Sequence, residues 1–414
     1  MRKTFGLLFT IKGNAKACLY TEPMWAIPFQ LYMPFVSLYM HHLGLLDTEI
    51  GIILAVGRLF QMVMALFGGI ITDKLGRHRT TFYADCISWS IPALIWAFSQ
   101  NFWWFFIAAV VNSASHITTV SWECLWVDDT EESQIGPIVN WIYISGLLAV
   151  FFAPIAGYFV QIHGVVPVMR VLYLITFVIM TAKFVILYFY STETQRGLER
   201  MEATRDIPVS AMLLGYVDVF KMVKNSRIMV RALAMQAIIG AILPITTTFF
   251  ALYVTQDLFI PEAFLAYFPI LRAGIMLAFL LVIQEWFNRF KTRRVMLIGL
   301  GLYIFSMVWL IMSPLHNWVW LSAYVVMDAV AAALLLPRVD ALVTNSMDPQ
   351  ERARIRSLFN AVILAVSAPF GFLAGVLSDM DRRLPFLLNL GLFVVIVVVV
   401  LSRNKAASDS ASIR

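Results

Sequence analysis

The stretch Gly69-Ile70-Ile71-Thr72-Asp73-Lys74-Leu75-Gly76-Arg77-His78-Arg79 decides how this chain is read. It has the spacing G-x-x-x-D-(K/R)-x-G-R-x-R and lies between two long apolar segments, about 50–72 and 80–98. Gly69 permits a close helix contact and Gly76 a tight turn. Asp73, Lys74, Arg77 and Arg79 concentrate charge in a turn whose flanks carry almost none.

Those flanks are typical of the whole. Of 414 residues, 60% are hydrophobic and only 14% charged, and the mean hydropathy is +0.80. A soluble domain carries about 25% charged residues. A soluble chain of this length has nowhere to hide so much apolar surface, so lipid is the solvent for most of it. A spanning helix needs about 20 mostly apolar residues. Twelve stretches meet that, at about 18–41, 50–72, 80–98, 103–127, 136–161, 166–190, 230–254, 262–287, 294–313, 318–344, 357–379 and 384–402. Strand-type alternation is absent, which excludes a lipid-facing barrel. The sequence therefore predicts an all-α integral membrane protein of twelve transmembrane helices. Cys18, Cys86 and Cys124 lie inside apolar runs without pairing spacing, so neither a disulfide framework nor a metal cluster is expected. The basic N-terminus lacks a small-residue cleavage site, and the first apolar segment is read as a span rather than a removed leader.

Charge placement orients the spans. The N-terminus, the loops after spans 2, 6, 8 and 10, and the C-terminal tail carry nearly all loop Lys and Arg; the opposite side has only Arg382 and Arg383. Both termini are thus expected in the cytoplasm of a plasma membrane protein. The formal charge of +6 is a topology signal, not a nucleic-acid footprint. The loop after span 4 is the exception, with Asp128, Asp129, Glu131 and Glu132 and no base; it either pairs with Arg77 or Arg79 or is a solvated acidic turn. One long connection divides the chain into 1–190, a linker at 191–229, and 230–414. Within the linker Val209, Leu213, Val217 and Phe220 share a helical side, as in a surface amphipathic helix. The halves repeat each other: Gly157 with Pro167 recurs as Gly375 with Pro385, and the Asp73 turn recurs in degraded form at 288–294. Two six-helix bundles in pseudo-symmetric relation are the plan of carriers that rock about a central site.

The Asp73 turn, the twelve spans, the repeat and the termini together resemble the major facilitator superfamily of secondary transporters, across the whole chain. The turn matches the family's loop between helices 2 and 3. Ala153-Pro154-Ile155-Ala156-Gly157 resembles the Pro-x-x-Gly core of the helix-5 motif of drug–proton antiporters, with Ala153 and Tyr158 where glycines are usual. The resemblance implies a central cavity lined by spans 1, 4, 7 and 10. It also implies a gate in which Gly69, Asp73, Gly76 and Arg77 latch the outward-open state against the cytoplasmic ends of spans 4 and 11. His78 stands where a base is usual, which would make the latch weaker or pH-sensitive.

A charge at the bilayer centre costs on the order of 3 kcal/mol, so each intramembrane polar group is a candidate. Span 4 carries Asn112, His116, Thr119 and Glu123 on one face. The stripe faces substrate, or packs on another helix through hydrogen bonds. Through the repeat, Glu123 corresponds to Asp340 in span 10, and such paired acids can hold a proton; Asp340 could instead pair with Arg338. Span 1 offers Glu22, Gln30, Ser37 and His41, and Pro23, Pro28 and Pro34 predict a bend. Glu22 is a second proton carrier, or a partner for Lys16. Gln236, Gly240 and Thr247 share a face of span 7, as substrate contacts or interhelical glue. Arg58 and Arg272 stand at similar depths in the two halves; they bind an anion bidentately, or pair with Asp85, Asp328 or Glu285.

No catalytic, metal or nucleotide-binding constellation is present, so neither enzyme activity nor a cofactor is expected. The expected function is secondary active transport of a small molecule by a monomer in the bilayer: proton-coupled export of an amphipathic or drug-like solute. Glu22, Glu123 and Asp340 would carry protons, and Trp25, Tyr32, Trp122 and Trp126 suit such a ligand. The alternatives are an anion carrier using Arg58 and Arg272, and a non-transporting receptor or regulator on the same scaffold. The short tail after the last span counts against the receptor.

Overall fold

The computed structural model describes residues 11–287, 289–346 and 352–402. Arg2, Lys3, Asn288 and the tail bases Arg403, Lys405 and Arg414 lie outside the described residues, as do the side chains of Asp218, Glu285, Arg352 and Arg354.

Every regular element among the described residues is helical. In chain order we label α1 (13–42), α2 (Asp47–Leu75), α3 (77–98), α4 (102–127), α5 (Glu132–His163) and α6 (Val165–Tyr190). The linker forms α7 (Gln195–Thr204) and α8 (Val209–Asn225). There follow α9 (Arg227–Asp257), α10 (262–287), α11 (Thr292–Ile311), α12 (Trp318–Ser346), α13 (Arg352–Met380) and α14 (Leu384–Leu401). Eight of these are long and apolar enough to cross a membrane: α2, α5, α6, α9, α11, α12, α13 and α14.

The other four expected spans, α1, α3, α4 and α10, are helical but interrupted. In α1 the turn tightens at Met33–Phe35, around Pro34, where the ring removes a backbone donor. Pro23 and Pro28 sit inside continuous helix, and the interruption falls at the third proline. A wide π turn at Cys86–Ser90 interrupts α3. Ser113 and Ala114 separate two helical pieces in α4. In α10 a tight opening turn (Glu262–Ala266) and a π turn (Phe279–Ile283) flank the helix. Side-chain caps open several helices: Asn101 accepts from the Trp103 N–H at 3.1 Å, and Thr194 from the Gly197 N–H at 2.9 Å.

The two parts of the chain meet along a seam made by small residues. Helices α2 and α13 pack together along their length. A Cβ on Gly51 would lie 2.8 Å from the Gly371 carbonyl oxygen, and one on Gly375 would lie 2.7 Å from the Asp47 oxygen. Near the other end Ser357 Oγ reaches the Ala65 oxygen at 3.4 Å. Across the molecule α5 meets the start of α10, where a Cβ on Gly157 would lie 2.9 Å from the Ala263 oxygen. Gly157 and Gly375, related by the sequence repeat, thus each bring their half closest to the other. The Met33–His42 part of α1 packs on α9.

In the linker, α8 buries Val219 and Val223 against α9 and α13, with Tyr216 beside them, while Val217 and Phe220 stay exposed. The apolar side read from the sequence therefore faces outward, and a neighbouring stripe faces the protein.

Candidate functional site

At one end of the molecule the Asp73 turn is held by more partners than the sequence suggested. Gly76 adopts φ +87°, ψ 163°, a conformation essentially confined to glycine. The Glu193 carboxylate fills the space beside it and accepts from the Arg77 and His78 N–H groups at 2.9 and 3.1 Å, capping the start of α3. Arg77 is 4% exposed; its Nη1 donates to Asp73 at 3.3 Å and its Nε to Asp128 at 3.0 Å. The acidic turn after α4 thus pairs with Arg77. Asp73 also takes both Nη2 (2.6 Å) and Nε (3.2 Å) of Arg200 from α7, and this charged hydrogen bond raises the affinity of Arg200 for its proton. Lys74 donates to the Thr204 oxygen at 2.9 Å. Among the described residues the Asp73 clasp therefore reaches α4 and the linker helix α7. The close helix contact expected of Gly69 belongs to Gly68, whose Cβ would lie 3.2 Å from the His116 oxygen; Gly69 faces Tyr216 at 3.8 Å. His78 stacks on Tyr188 at 4.5 Å.

The opposite end is sealed across the seam by polar groups. Asp379 of α13 accepts from the Asp47 and Thr48 N–H groups at 3.0 and 2.9 Å, capping α2 from the other half. Asp47, 2% exposed, accepts from Ser378 at 2.7 Å and from Arg382 at 3.0 Å, and Arg382 also reaches Asp257 at 3.0 Å. His42 meets Glu262 at 2.6 Å, and that carboxylate raises the imidazole's affinity for a proton.

Between the ends, the expected polar residues do not form one group. Glu22 lies 3.6 Å from Lys183 of α6, which replaces the Lys16 partnership considered from sequence. Glu123 and Asp340 are exposed, and Asp340 is 3.5 Å from Gln236. Asn112 donates to the Ser88 oxygen at 2.7 Å and so anchors the π turn of α3, an interhelical role. Thr119 and Thr247 are exposed and return hydrogen bonds to their own helices. His116 is half-buried within the field of Arg58. Trp25 stacks on Phe29 at 4.9 Å and meets Trp89 edge-on at 5.2 Å; Gln30 is half-buried nearby on the same helix. Trp122 lies 5.9 Å from the Lys183 ammonium. The two arginines differ. Arg272 Nε donates to Asp328 at 2.8 Å, one of the pairings anticipated. Arg58 reaches Gln61 at 3.4 Å and makes no ion pair among the described residues.

Sequence reading missed Lys183, Glu193, Arg200, Asp379 and Arg382 as partners. A lone lysine inside a span was a usable signal for the first; the others are contacts between segments far apart in the chain.

A family model described as the MFS_1 like family matches residues 29–388. The chain belongs to the major facilitator superfamily. It is 24% identical over 361 residues to the multidrug resistance protein MdtG of Proteus mirabilis (strain HI4320), covering 84% of each chain. It is 24% identical over 231 residues to MdtG of Salmonella arizonae (strain ATCC BAA-731 / CDC346-86 / RSK2980), covering 53% of this chain and 54% of that one. The nucleoside transporter NupG shares the fold with a TM-score of 0.71 at 17% identity, over 94% of this chain and 99% of that one. A POT family transporter in complex with 5-aminolevulinic acid does so with a TM-score of 0.71 at 12% identity, over 94% of each. The chain stands with major facilitator transporters rather than with enzymes, as an integral membrane protein that handles a small solute.

Proposed function

We propose that this major facilitator is a twelve-span monomer of two six-helix bundles, 1–190 and 230–414, joined by the 191–229 linker, with both termini in the cytoplasm of the plasma membrane. It exports an amphipathic or drug-like solute by alternating access, driven by protons. The observation that carries this is the asymmetry of the seam. Among the described residues, charged groups join the halves at the Asp47 end, whereas toward the Asp73 end α2 meets α13 through helix packing and the Ser357 hydroxyl. Loop Lys and Arg assign the Asp73 end to the cytoplasm, so the conformation is cytoplasm-open. In this reading the exposed Thr119, Glu123, Thr247 and Asp340, with Gln236 3.5 Å from Asp340, would meet the solute from the cytoplasmic side, and Trp25, Gln30, Trp122, Asn112 and His116 would be its further contacts. The multidrug name of the MdtG relatives supports a drug-like solute. Glu22, Glu123 and Asp340 carry protons, and Gly69, Asp73, Gly76 and Arg77 form the gate.

A second reading is favoured by one observation. Arg58 has no ion-pair partner among the described residues, so an anionic group on the solute would bind there; Arg272, held by Asp328, would take no part. Both readings are tested by ligand-evoked currents on proteoliposomes coupled to a solid support, with and without a pH gradient. Proton-coupled export predicts currents that require the gradient and are lost in Glu22→Gln or Glu123→Gln. Currents that ignore the gradient and survive both substitutions exclude it. Uptake of organic anions that is lost in Arg58→Gln would establish the second reading.

A further inference from the structure

Inside the first half a buried acid and a buried lysine pair, and a second buried acid lies within their field. Glu22 of α1, Asp85 of α3 and Lys183 of α6 are 9%, 2% and 4% exposed. Lys183 Nζ lies 3.6 Å from Glu22 Oε2, and Asp85 lies within the field of both. Cys18 of α1 is buried within the field of all three, the Trp122 and Phe184 rings lie 5.9 and 5.5 Å from the ammonium, and Thr118 of α4 stands beside Asp85. Asp85 Oδ2 and Thr118 Oγ1 are buried, and neither has a partner in hydrogen-bond geometry among the described residues. On the Asp73 side, His78, Thr81, Phe82, Leu125 and Phe184 close around Asp85 and leave no space the size of a water molecule.

Counting charge decides what such a nest can hold. With all three groups ionised it carries one excess negative charge. An unbalanced charge in a dry interior is unfavourable, and the group changes protonation instead. One proton restores neutrality: two carboxyl groups, one of them protonated, opposite one ammonium. The buried Asp85 oxygen, with the Thr118 hydroxyl beside it but outside hydrogen-bond geometry, is where a proton would be shielded from solvent.

We propose that Glu22, Asp85 and Lys183 form a single proton-binding site, in which one exchangeable proton is shared by the two carboxyl groups. The proton leaves as a hydronium through Glu22, whose side chain is the most exposed of the three at 12%, and the carboxylate left behind is held by Lys183. The two acids titrate as a pair. The inference rests on the proton-coupled reading and adds to it a site and two residues, Asp85 and Lys183. It also supplies a route to the seam: α1, which carries Glu22, carries His42 at its far end, where it meets Glu262 of the other half. Charging the nest therefore changes the forces on a helix that closes the opposite end.

The test uses the full chain in lipid. Infrared difference spectra across a pH titration read the band of protonated carboxyl groups in wild type, Glu22→Gln, Asp85→Asn, Lys183→Gln and Lys183→Arg. Removing either acid leaves a neutral pair, so each acid substitution is expected to abolish the same wild-type component. Lys183→Gln leaves two acids without a cation and is expected to enlarge it, while Lys183→Arg retains it. A component that survives Glu22→Gln or Asp85→Asn, or is indifferent to Lys183→Gln, overturns the shared site. Should one acid variant fail to remain monodisperse, the other carries the same prediction. Ethidium transport by the same vesicles separates the two claims. A pH-driven wild type whose band ignores the acid substitutions sinks the site and keeps the coupling; a pH-indifferent wild type with the expected band changes sinks the coupling and keeps the site.

Discussion

At the scale of single residues, Gly76 and His42 show how much one position can carry. Gly76 joins an unusual backbone conformation to a side chain packed on it: a Cβ would collide with Glu193 Oε2. Conformational strain alone costs about 1–3 kcal/mol, and displacing Glu193 would uncap α3 as well. Gly76→Ala is expected to lower the thermal midpoint in detergent by several degrees; an unchanged midpoint would mean that the turn relaxes freely. For His42 the sign is set by Glu262. The carboxylate raises the folded-state affinity of the imidazole for its proton above the ordinary value. The stabilisation is therefore complete below the unperturbed range near pH 6.5 and is lost as pH rises through the raised folded value. The side chain is 39% exposed, so the effect is a shift in population and not a collapse. Alkaline pH is expected to loosen the Asp47 end, read as a longer distance between spin labels at Leu46→Cys and Met380→Cys after the native cysteines are replaced. His42→Gln should remove this pH response. The Asp73 turn was legible because its spacing is local: Asp73 and Arg77 are one helical turn apart. Its partners Glu193 and Arg200 were not, because they lie more than a hundred residues along the chain and nothing in their own neighbourhood marks them.

At the scale of elements, apolar length located the helices well and their continuity poorly. Hydropathy counts composition and so does not register the turns that interrupt α1, α3, α4 and α10. The contact of α2 with α13 was legible only as a repeat: Gly157 and Gly375 stood at matching offsets, but which helix each would meet depends on the three-dimensional pairing. Gly375→Ala tests that contact. Its Cβ would lie 2.7 Å from the Asp47 oxygen and 2.9 Å from Gly51 Cα, and backbone atoms have little room to yield. Overpacking of this kind costs about 1–3 kcal/mol, which corresponds to about 5- to 150-fold in the balance between two states. We expect the same spin-label pair to shift toward the separated arrangement; an unchanged distance distribution would show that the helices slide to absorb the methyl group.

At the scale of the whole molecule, the seal at the Asp47 end is what distinguishes one arrangement of the halves from the other. Asp47 is buried and depends on Arg382 for compensation, and leaving a buried carboxylate without its cation is strongly unfavourable. Arg382 is itself 24% exposed, so its removal should cost on the order of 2 kcal/mol, below the range for a fully buried pair. Arg382→Ala is expected to bias the molecule away from the form closed at the Asp47 end and to slow substrate counterflow; rates and distances equal to wild type would reduce the residue to surface decoration. The candidate site was legible as a list of intramembrane polar groups and not as a constellation. Arg272 and Asp328 were named as one of several pairings, and Glu22 was named without Lys183, because hydropathy identifies unfavourable charges but not what neutralises them.

The cap that Asp379 places on α2 has a consequence for how motion can be watched. The first turn of that helix draws its hydrogen-bond acceptor from the opposite half, so whenever the halves part, the amide protons of Asp47 and Thr48 lose their shelter together. Their deuterium uptake is thus a built-in stopwatch: it should run only during excursions to the other face of the membrane, and a solute that prolongs those excursions should make it run faster without touching the helix at all.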